Sequence, residues 1–441
     1  MELRGQQIGV IGLGPRTGMS LVRYLSAQGA RVVVYDEAGS KAVRDRLGNF
    51  SESDVVVEEN PGAALDSCPV WIVSPGVPCY KPYLIAARKR GIRTVSEIEF
   101  AAERINAPIL AVTGTNGKST TTAWLGHVLA QFKPSVFVGG NLGVPLLEAV
   151  GKAWDFVVVE ISSFQMELTD RFFPVAACVL NVSPNHLDRH GNMATYAFFK
   201  EKVVAGVRSG GRAVLCADDE PCRDMRARVR AHAWTFSVRK GARADFSIEG
   251  DRMRTPMGIL SIRDVKLLGR HNLENALAVA ALALSVGCPI ETVERGLSTF
   301  EGLPHRLQNL GEVRGVLFVN DSKSTTPASS IRALEAIDRP LFLLAGGKPK
   351  GFSYASLGQA AKARAKRAIL FGEAAPAMAK EFEHSKVVDT LDQAFEAATA
   401  EARVGDAVLL SPANASYDQF ANFEARGDRF VALVDRWRDA A

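Results

Sequence analysis

Eleven residues, Ala111-Val-Thr-Gly-Thr-Asn-Gly-Lys-Ser-Thr-Thr121, have the types and spacing of a phosphate cradle. They follow the apolar run Pro108-Ile-Leu-Ala-Val112 and precede the helix-like segment Thr122 to Phe132. A strand, a glycine turn and a helix start in that order aim backbone N–H groups and the positive end of the helix dipole at an anion. Gly114, Thr115, Asn116 and Gly117 make the turn, Lys118 reaches the outer phosphates, and a hydroxyl of Ser119 or Thr120 can hold magnesium. The expected ligand is ATP. The pattern Gly-x-x-Gly-Lys-Ser is two residues shorter than the common Gly-x-x-x-x-Gly-Lys-Ser, which makes it a variant and narrows the family.

Other reactive groups also stand at the ends of strand-like runs. Glu160 closes Phe156-Val-Val-Val159 and reads either as a magnesium ligand or as a helix-capping acid. His186, in Asn181-Val-Ser-Pro-Asn-His-Leu-Asp-Arg189, reads as a ligand or as a structural hydrogen-bonder. Gly12-Leu-Gly-Pro-Arg-Thr-Gly18, with Asp36 after the second strand, resembles a dinucleotide fingerprint but is one residue too long for NAD. A diphosphate of another nucleotide fits better, with Gly14, Arg16 and Thr17 near phosphate, Asp36 near a base or sugar, and Ser74-Pro75-Gly76 lining the same crevice. Lys200, in Tyr196-Ala-Phe-Phe-Lys200, reads by its local spacing as a solvated helix lysine. Asn272 reads as the cap of the helix that follows it, whereas Asn275, one turn on, has no capping duty, and a base-edge hydrogen bond is the alternative. Three polar loops, Asn320 to Pro327, Gly346 to Lys350 and Ser411 to Ser416, follow strands and converge on one sheet edge, which favours a small anionic substrate.

The elements that must position these groups are near-continuous apolar strands alternating with helices. That pattern predicts parallel sheets covered on both faces, with ligands beyond the carboxyl ends of the strands. One expected strand is Cys178 to Val182. At 441 residues, with 47% hydrophobic and 23% charged, the chain suggests three α/β domains. They are a Rossmann-like domain over 1–96, a central P-loop ATPase-like domain with a mainly parallel sheet over 97–303, and a Rossmann-like domain over 304–441. A net charge of +5 without a dense basic run argues against nucleic acid as partner. Cysteines 68, 79, 178, 216, 222 and 288 show no metal-like spacing and are expected reduced and mostly buried. The N-terminus lacks the pattern of an export signal, and the longest apolar run, Ala276 to Val286, is too short for a bilayer. A cytoplasmic chain without membrane insertion is expected.

Taken in order, Thr113-Gly-Thr-Asn-Gly-Lys-Ser-Thr120, Glu160-x-Ser162-Ser-x-Gln165, Asn185-His-Leu-Asp188, His271-Asn272, Leu303-Pro-His-Arg306 and Asn320-Asp-Ser-Lys323 resemble the blocks of the Mur ligase family. These are ATP-dependent amide-forming enzymes that add amino acids to the peptidoglycan precursor. The start Gly12-Leu-Gly14 and the ending Leu410-Ser-Pro-Ala-x-Ala-Ser416-x-Asp-Gln-Phe420 are most similar to the branch that adds D-glutamate. Folylpolyglutamate synthase shares the phosphate loop but not this ending. A P-loop regulator is disfavoured because Glu160, His186, Lys200 and Lys323 all stand where catalysis would need them.

The resemblance implies an acyl-phosphate route from ATP, with UDP-N-acetylmuramoyl-L-alanine and D-glutamate as substrates, two magnesium ions and a monomeric enzyme. It implies carbamylation of Lys200, which turns a lysine into a carboxylate able to hold magnesium with His186, Glu160 and Ser119. It also implies Asn141, Ser162, Gln165 and His186 near the muramoyl substrate, and Asn272, Asn275, Arg306 and Asp321 on the nucleotide. Lys323 would neutralise phosphate charge, while Thr325, Lys350, Ser416 and Phe423 would hold D-glutamate. Thr326 stands where the family pattern usually has Asn, and the Lys350–Phe352 loop is short.

Overall fold

Short β-branched runs such as Val32-Val-Val34 are stiff at χ1 and suit a pleated surface. In the computed structural model of the chain, which describes residues 2–51 and 54–440, each such run is a strand covered by helices. The expected domain ends at Met1 and Ala441 lie outside the described residues. The first sheet joins β1 (Gln7–Ile11), β2 (Arg31–Tyr35), β3 (Val55–Glu58), β4 (Val70–Val73) and β5 (Arg93–Ser96) in the order β3-β2-β1-β4-β5, all parallel. This is a doubly wound order, and its reversal beside β1 opens a crevice at the strand ends.

The second sheet contains β6 (Ile109–Thr113), β7 (Val136–Gly140), β8 (Phe156–Glu160), β9 (Ala176–Val179), β10 (Arg212–Cys216) and β11 (His232–Ser237), then β12 (Phe246–Glu249), β13 (Arg252–Thr255) and β14 (Gly258–Ser261). Its order is β14-β13-β12-β11-β10-β9-β6-β8-β7, with an antiparallel meander over β12 to β14. β6 lies between β8 and β9, so the phosphate loop opens among the ends of three parallel strands. The third sheet holds β15 (Gln308–Val313), β16 (Val316–Asn320), β17 (Leu341–Gly346), β18 (Ala365–Phe371), β19 (Ser385–Val387) and β20 (Ala407–Ala413), in the order β15-β16-β20-β17-β18-β19. Only β15 runs antiparallel within it. Apolar clusters cover both of its faces, one around Leu343 and Leu409 and the other around Phe318 and Leu410.

The expected α/β architecture with mainly parallel sheets is what the structure has. The contacts divide into two units, Met1–Arg263 with Glu274–Leu297, and Asp264–Leu273 with Ser298–Ala441. The first two sheets belong to the first unit. Among the described residues no helix is long and apolar enough to cross a membrane. The six cysteines are free thiols, five of them buried and Cys79 partly so.

Candidate active site

β6 is buried along its length, and its last residue, Thr113, donates from Oγ1 to Ile161 O at 2.8 Å. The chain then turns through Gly114 (φ +155°) and Gly117 (φ +82°) into helix Lys118–Phe132, which has no side-chain cap at its N-terminus. A Cβ at Gly117 would lie 2.4 Å from Asn275 Oδ1, so the turn needs glycine for space as well as for dihedral angle. The loop is held from outside. Asn181 accepts the N–H of Thr115 on its carbonyl and that of Asn116 on its side chain, both at 2.9 Å. β9 was expected to continue to Val182 but ends at Val179, because the backbone beyond it leaves the sheet to make these bonds. Thr120 is buried under the turn and Ser119 half-buried.

Lys118 Nζ donates to Gly114 O at 3.0 Å and to Thr115 O at 2.9 Å. Lys200 Nζ donates to the same Gly114 O at 2.7 Å and lies 4.5 Å from the Tyr196 ring centroid. Lys200 is 1% exposed, which corrects the reading of a solvated helix lysine. Its local spacing is that of a solvated helix face, but helix Met193–Ala205 turns this face toward the Gly114 carbonyl of the phosphate loop. Burial, and then the neighbouring Lys118, push its amine down to about 6, so at neutral pH it is mostly an uncharged nucleophile.

Glu160 ends β8, and the next helical turn, Gln165–Leu168, has Phe164 at its cap position, which removes the capping reading. It is 2% exposed; Oε1 accepts from Asn141 Nδ2 at 2.5 Å, while Oε2 has no hydrogen-bond partner among the described residues. A buried, unsatisfied carboxylate oxygen fits a hard cation. His186 sits at φ +54° just before the turn Leu187–His190, with its ring 4.7 Å from that of Phe164. Desolvation lowers its pKa, the Asp188 carboxylate offsets part of this, and Lys118 pushes the same way as burial, which leaves a neutral imidazole with a lone pair.

On the first sheet a cavity of about 540 Å³ opens beside β1. Gly12, Gly14, Arg16, Thr17, Asp36 and Ser74 to Gly76 line it, together with Asn141 and Gln165 from the second sheet's loops. Asp36 Oδ2 accepts the N–H of Leu13 at 2.6 Å, and Ser74 Oγ donates to Gly12 O at 2.5 Å. Both residues therefore shape the glycine turn as well as line the cavity. Arg16 Nη2 donates to Gly143 O at 2.6 Å and Asn141 O at 3.2 Å, so its guanidinium also braces the 140–143 turn. Gln165 Oε1 accepts from Ser162 N and Oγ at 2.9 and 3.0 Å.

Asn272 corrects a second expectation. Helix Arg270–Ser285 has already begun before it, so it is not the residue that precedes the helix, and its Nδ2 donates back to Leu268 O at 2.7 Å. Asn275 Oδ1 accepts from Thr121 Oγ1 at 3.1 Å, which ties that helix to the phosphate-loop helix.

In the second unit β16, β20 and β17 lie side by side, so the three polar loops do share one sheet edge. Asp321 is buried, accepts from Leu307 N at 3.1 Å and Ser411 Oγ at 2.8 Å, and is pushed up to about 6 by desolvation. Lys323 Nζ stands 4.3 Å from the Phe423 ring centroid. Thr325 is half-buried, Ser416 buried, Lys350 exposed and Arg306 half-buried. Thr326 caps helix Pro327–Glu335 in a reciprocal box with Ser329, a sufficient reason for threonine there. Two residues were missed in sequence reasoning. Asn181 looks like any polar loop residue, but Arg426 had a signal: it falls on the apolar stripe of Phe430, Leu433 and Val434. It is fully buried and donates to Ser322 O and Oγ, Asn414 O and Ala415 O, joining two of the loops.

The model for the Mur ligase MurD-like N-terminal domain matches residues 6–96, that for the Mur ligase middle domain 112–283, and that for the Mur ligase glutamate ligase domain 305–414. Over 445 residues the chain is 37% identical to a protein of Koribacter versatilis named UDP-N-acetylmuramoylalanine--D-glutamate ligase, covering 98% of each. It is 38% identical to one of the same name from Pelotomaculum thermopropionicum, covering 96% of each. Among solved structures, the UDP-N-acetylmuramate-alanine ligase MurC of Thermotoga maritima superposes with a TM-score of 0.59 at 20% identity, covering 99% of this chain and 100% of that one. A MurF structure from Acinetobacter baumannii gives 0.61 at 18% identity, covering 98% and 93%.

Proposed function

The chain belongs to the Mur ligase family, and we propose that it is the ATP-dependent ligase joining D-glutamate to UDP-N-acetylmuramoyl-L-alanine in cytoplasmic peptidoglycan precursor synthesis. The observation that carries this reading is near-complete coverage, at 37% identity, of a chain named for that reaction. The local geometry supports the reaction type, since two lysines meet on one loop carbonyl beside a buried carboxylate.

The substrate's carboxylate must become an electrophile. Phosphoryl transfer from ATP gives an acyl phosphate, and the amino group of D-glutamate then displaces phosphate. Gly114 to Thr120 cradle the triphosphate with backbone N–H groups and the helix dipole, and Lys118 turns from its loop carbonyls to the outer phosphates. Glu160, His186, Ser119 and the carbamate of Lys200 would hold magnesium, which, when bound, offsets the repulsion between the two anions that must meet. The uncharged Lys200 amine is the form that adds carbon dioxide. The cavity beside β1 takes the UDP moiety, with Asn141, Ser162 and Gln165 toward the muramoyl end. Residues of the second unit enter on the family resemblance alone: Arg306, Asp321 and Lys323 for nucleotide, and Thr325, Lys350, Ser416 and Phe423 for D-glutamate.

ADP release should require both substrates, with little turnover when L-glutamate, D-alanine or diaminopimelate replaces D-glutamate. Comparable rates with any of these would refute the assignment. Lys200→Ala should be nearly inactive and partly restored by small carboxylic acids; full activity without them would exclude the carbamate.

A further inference from the structure

The turn that begins after His186 carries a charged group with no part in the reaction above. Arg189 Nη1 donates to Gly76 O at 3.1 Å, and Nη2 donates to Pro75 O at 3.3 Å and Val77 O at 3.0 Å. The same guanidinium donates from Nε to Glu167 Oε1 at 2.9 Å and from Nη2 to Oε2 at 2.8 Å, and lies 4.9 Å from the Phe164 ring centroid. Glu167 Oε2 also accepts the N–H of Cys79 at 3.1 Å. Only 10% of the Arg189 side chain and 4% of the Glu167 side chain are exposed.

These contacts join three segments that line or flank the cavity. Pro75 to Val77 form one wall of it. Glu167 belongs to the short turn Gln165–Leu168, whose first residue, Gln165, is also in the wall. Arg189 itself is one turn from His186. A planar fork with five donors can satisfy a carboxylate and several carbonyls together, which an ammonium on a flexible stem cannot do in the same geometry.

We propose that Arg189, working through Glu167, is a positioning residue for the UDP-linked substrate. It keeps the 75–77 wall in register with the His186 turn and does not itself touch substrate. Loosening this clamp leaves the binding-competent wall populated only part of the time, and apparent affinity falls by that fraction. The inference rests on reading the cavity as the UDP-substrate site.

The test uses the full chain, with KM for each of the three substrates, kcat, and calorimetric binding of UDP-N-acetylmuramoyl-L-alanine. Binding by the unsubstituted protein checks the cavity reading by itself, since failure there is failure of that reading and not of the clamp. Arg189→Lys should raise the KM and Kd for the UDP-linked substrate about tenfold, a competent wall about a tenth of the time, and leave the KM of ATP and D-glutamate within about twofold. Glu167→Gln, which keeps size and removes charge, should show the same selectivity and serves if the arginine variants fold poorly. Equal shifts in all three KM values, or a lower melting temperature with unchanged constants, would overturn the proposal.

Discussion

Two glycines with the same backbone angle and different surroundings separate strain from collision. Gly117 and Gly91 both have φ +82°, but a Cβ at Gly91 meets nothing within 4 Å, whereas at Gly117 it would lie 2.4 Å from Asn275 Oδ1. Alanine at either position incurs the left-handed penalty of about 1–2 kcal/mol. At Gly117 the buried Asn275 amide must also move off Thr121 Oγ1, and the buried Thr121 hydroxyl, losing its acceptor, costs about 1–3 kcal/mol more. The totals are about 1–2 kcal/mol for Gly91→Ala and about 2–5 kcal/mol for Gly117→Ala. With about 2–4 °C of melting temperature per kcal/mol in a large domain, calorimetry resolves the pair. Activity should separate them further. Gly91→Ala should keep kcat/KM for ATP within about twofold, while Gly117→Ala, with its cradle displaced, should lose about a hundredfold or more. Equal melting shifts and equal kinetics in the two variants would refute the claim that the phosphate turn is held against Asn275.

Three further outcomes follow from buried charge and from the loops of the second unit. The folded state holds the Lys200 amine at about 6 against 10.5, so the unfolded chain binds more protons between those values. Stability is lowest below about 6 and rises with pH across that window. In carbon dioxide-free buffer, urea unfolding at pH 6.5 and 8.5 should show the advantage of Lys200→Met shrinking by up to about 1.4 kcal/mol per pH unit; a constant gap would disprove the burial account. Arg426→Met takes a donor from Ser322 O, Ser322 Oγ, Asn414 O and Ala415 O, of which only Ala415 O keeps a second donor among the described residues, the N–H of Lys348, and should cost about 1–3 kcal/mol by denaturant unfolding, with under about 0.5 kcal/mol counting against it. Lys350→Ala should raise KM for D-glutamate far more than for ATP, and equal effects would place that lysine at the phosphates instead.

What could be read from the sequence was what local patterns encode. The phosphate turn is a run of consecutive residues whose glycines, lysine and flanking strand and helix agree, so Gly114 to Ser119 were legible without any partner. The glycine turn at Gly12 was legible for the same reason. Lys200 was not: helix position does not tell which face packs under a loop 86 residues earlier. Asn181 and Arg426 do their work through contacts distant in sequence, with Thr115 and Asn116 in one case and Ser322 in the other. The antiparallel meander from β12 to β14 was missed because its strands are four residues each, too short to show a period.

The burial of Lys200 has a consequence in time. With 1% of the residue exposed and Nζ hydrogen-bonded to Gly114 O, a dissolved gas reaches that nitrogen only when the phosphate loop opens locally. On the proposal that Lys200 carries a carbamate, the rate of its loading and loss is then limited by the opening of the loop, and its extent lags behind the dissolved gas at the moment of assay. Two preparations of identical sequence, one stored under air and one degassed, would differ in specific activity until that slow clock had run, and the amount of competent enzyme would report each sample's history.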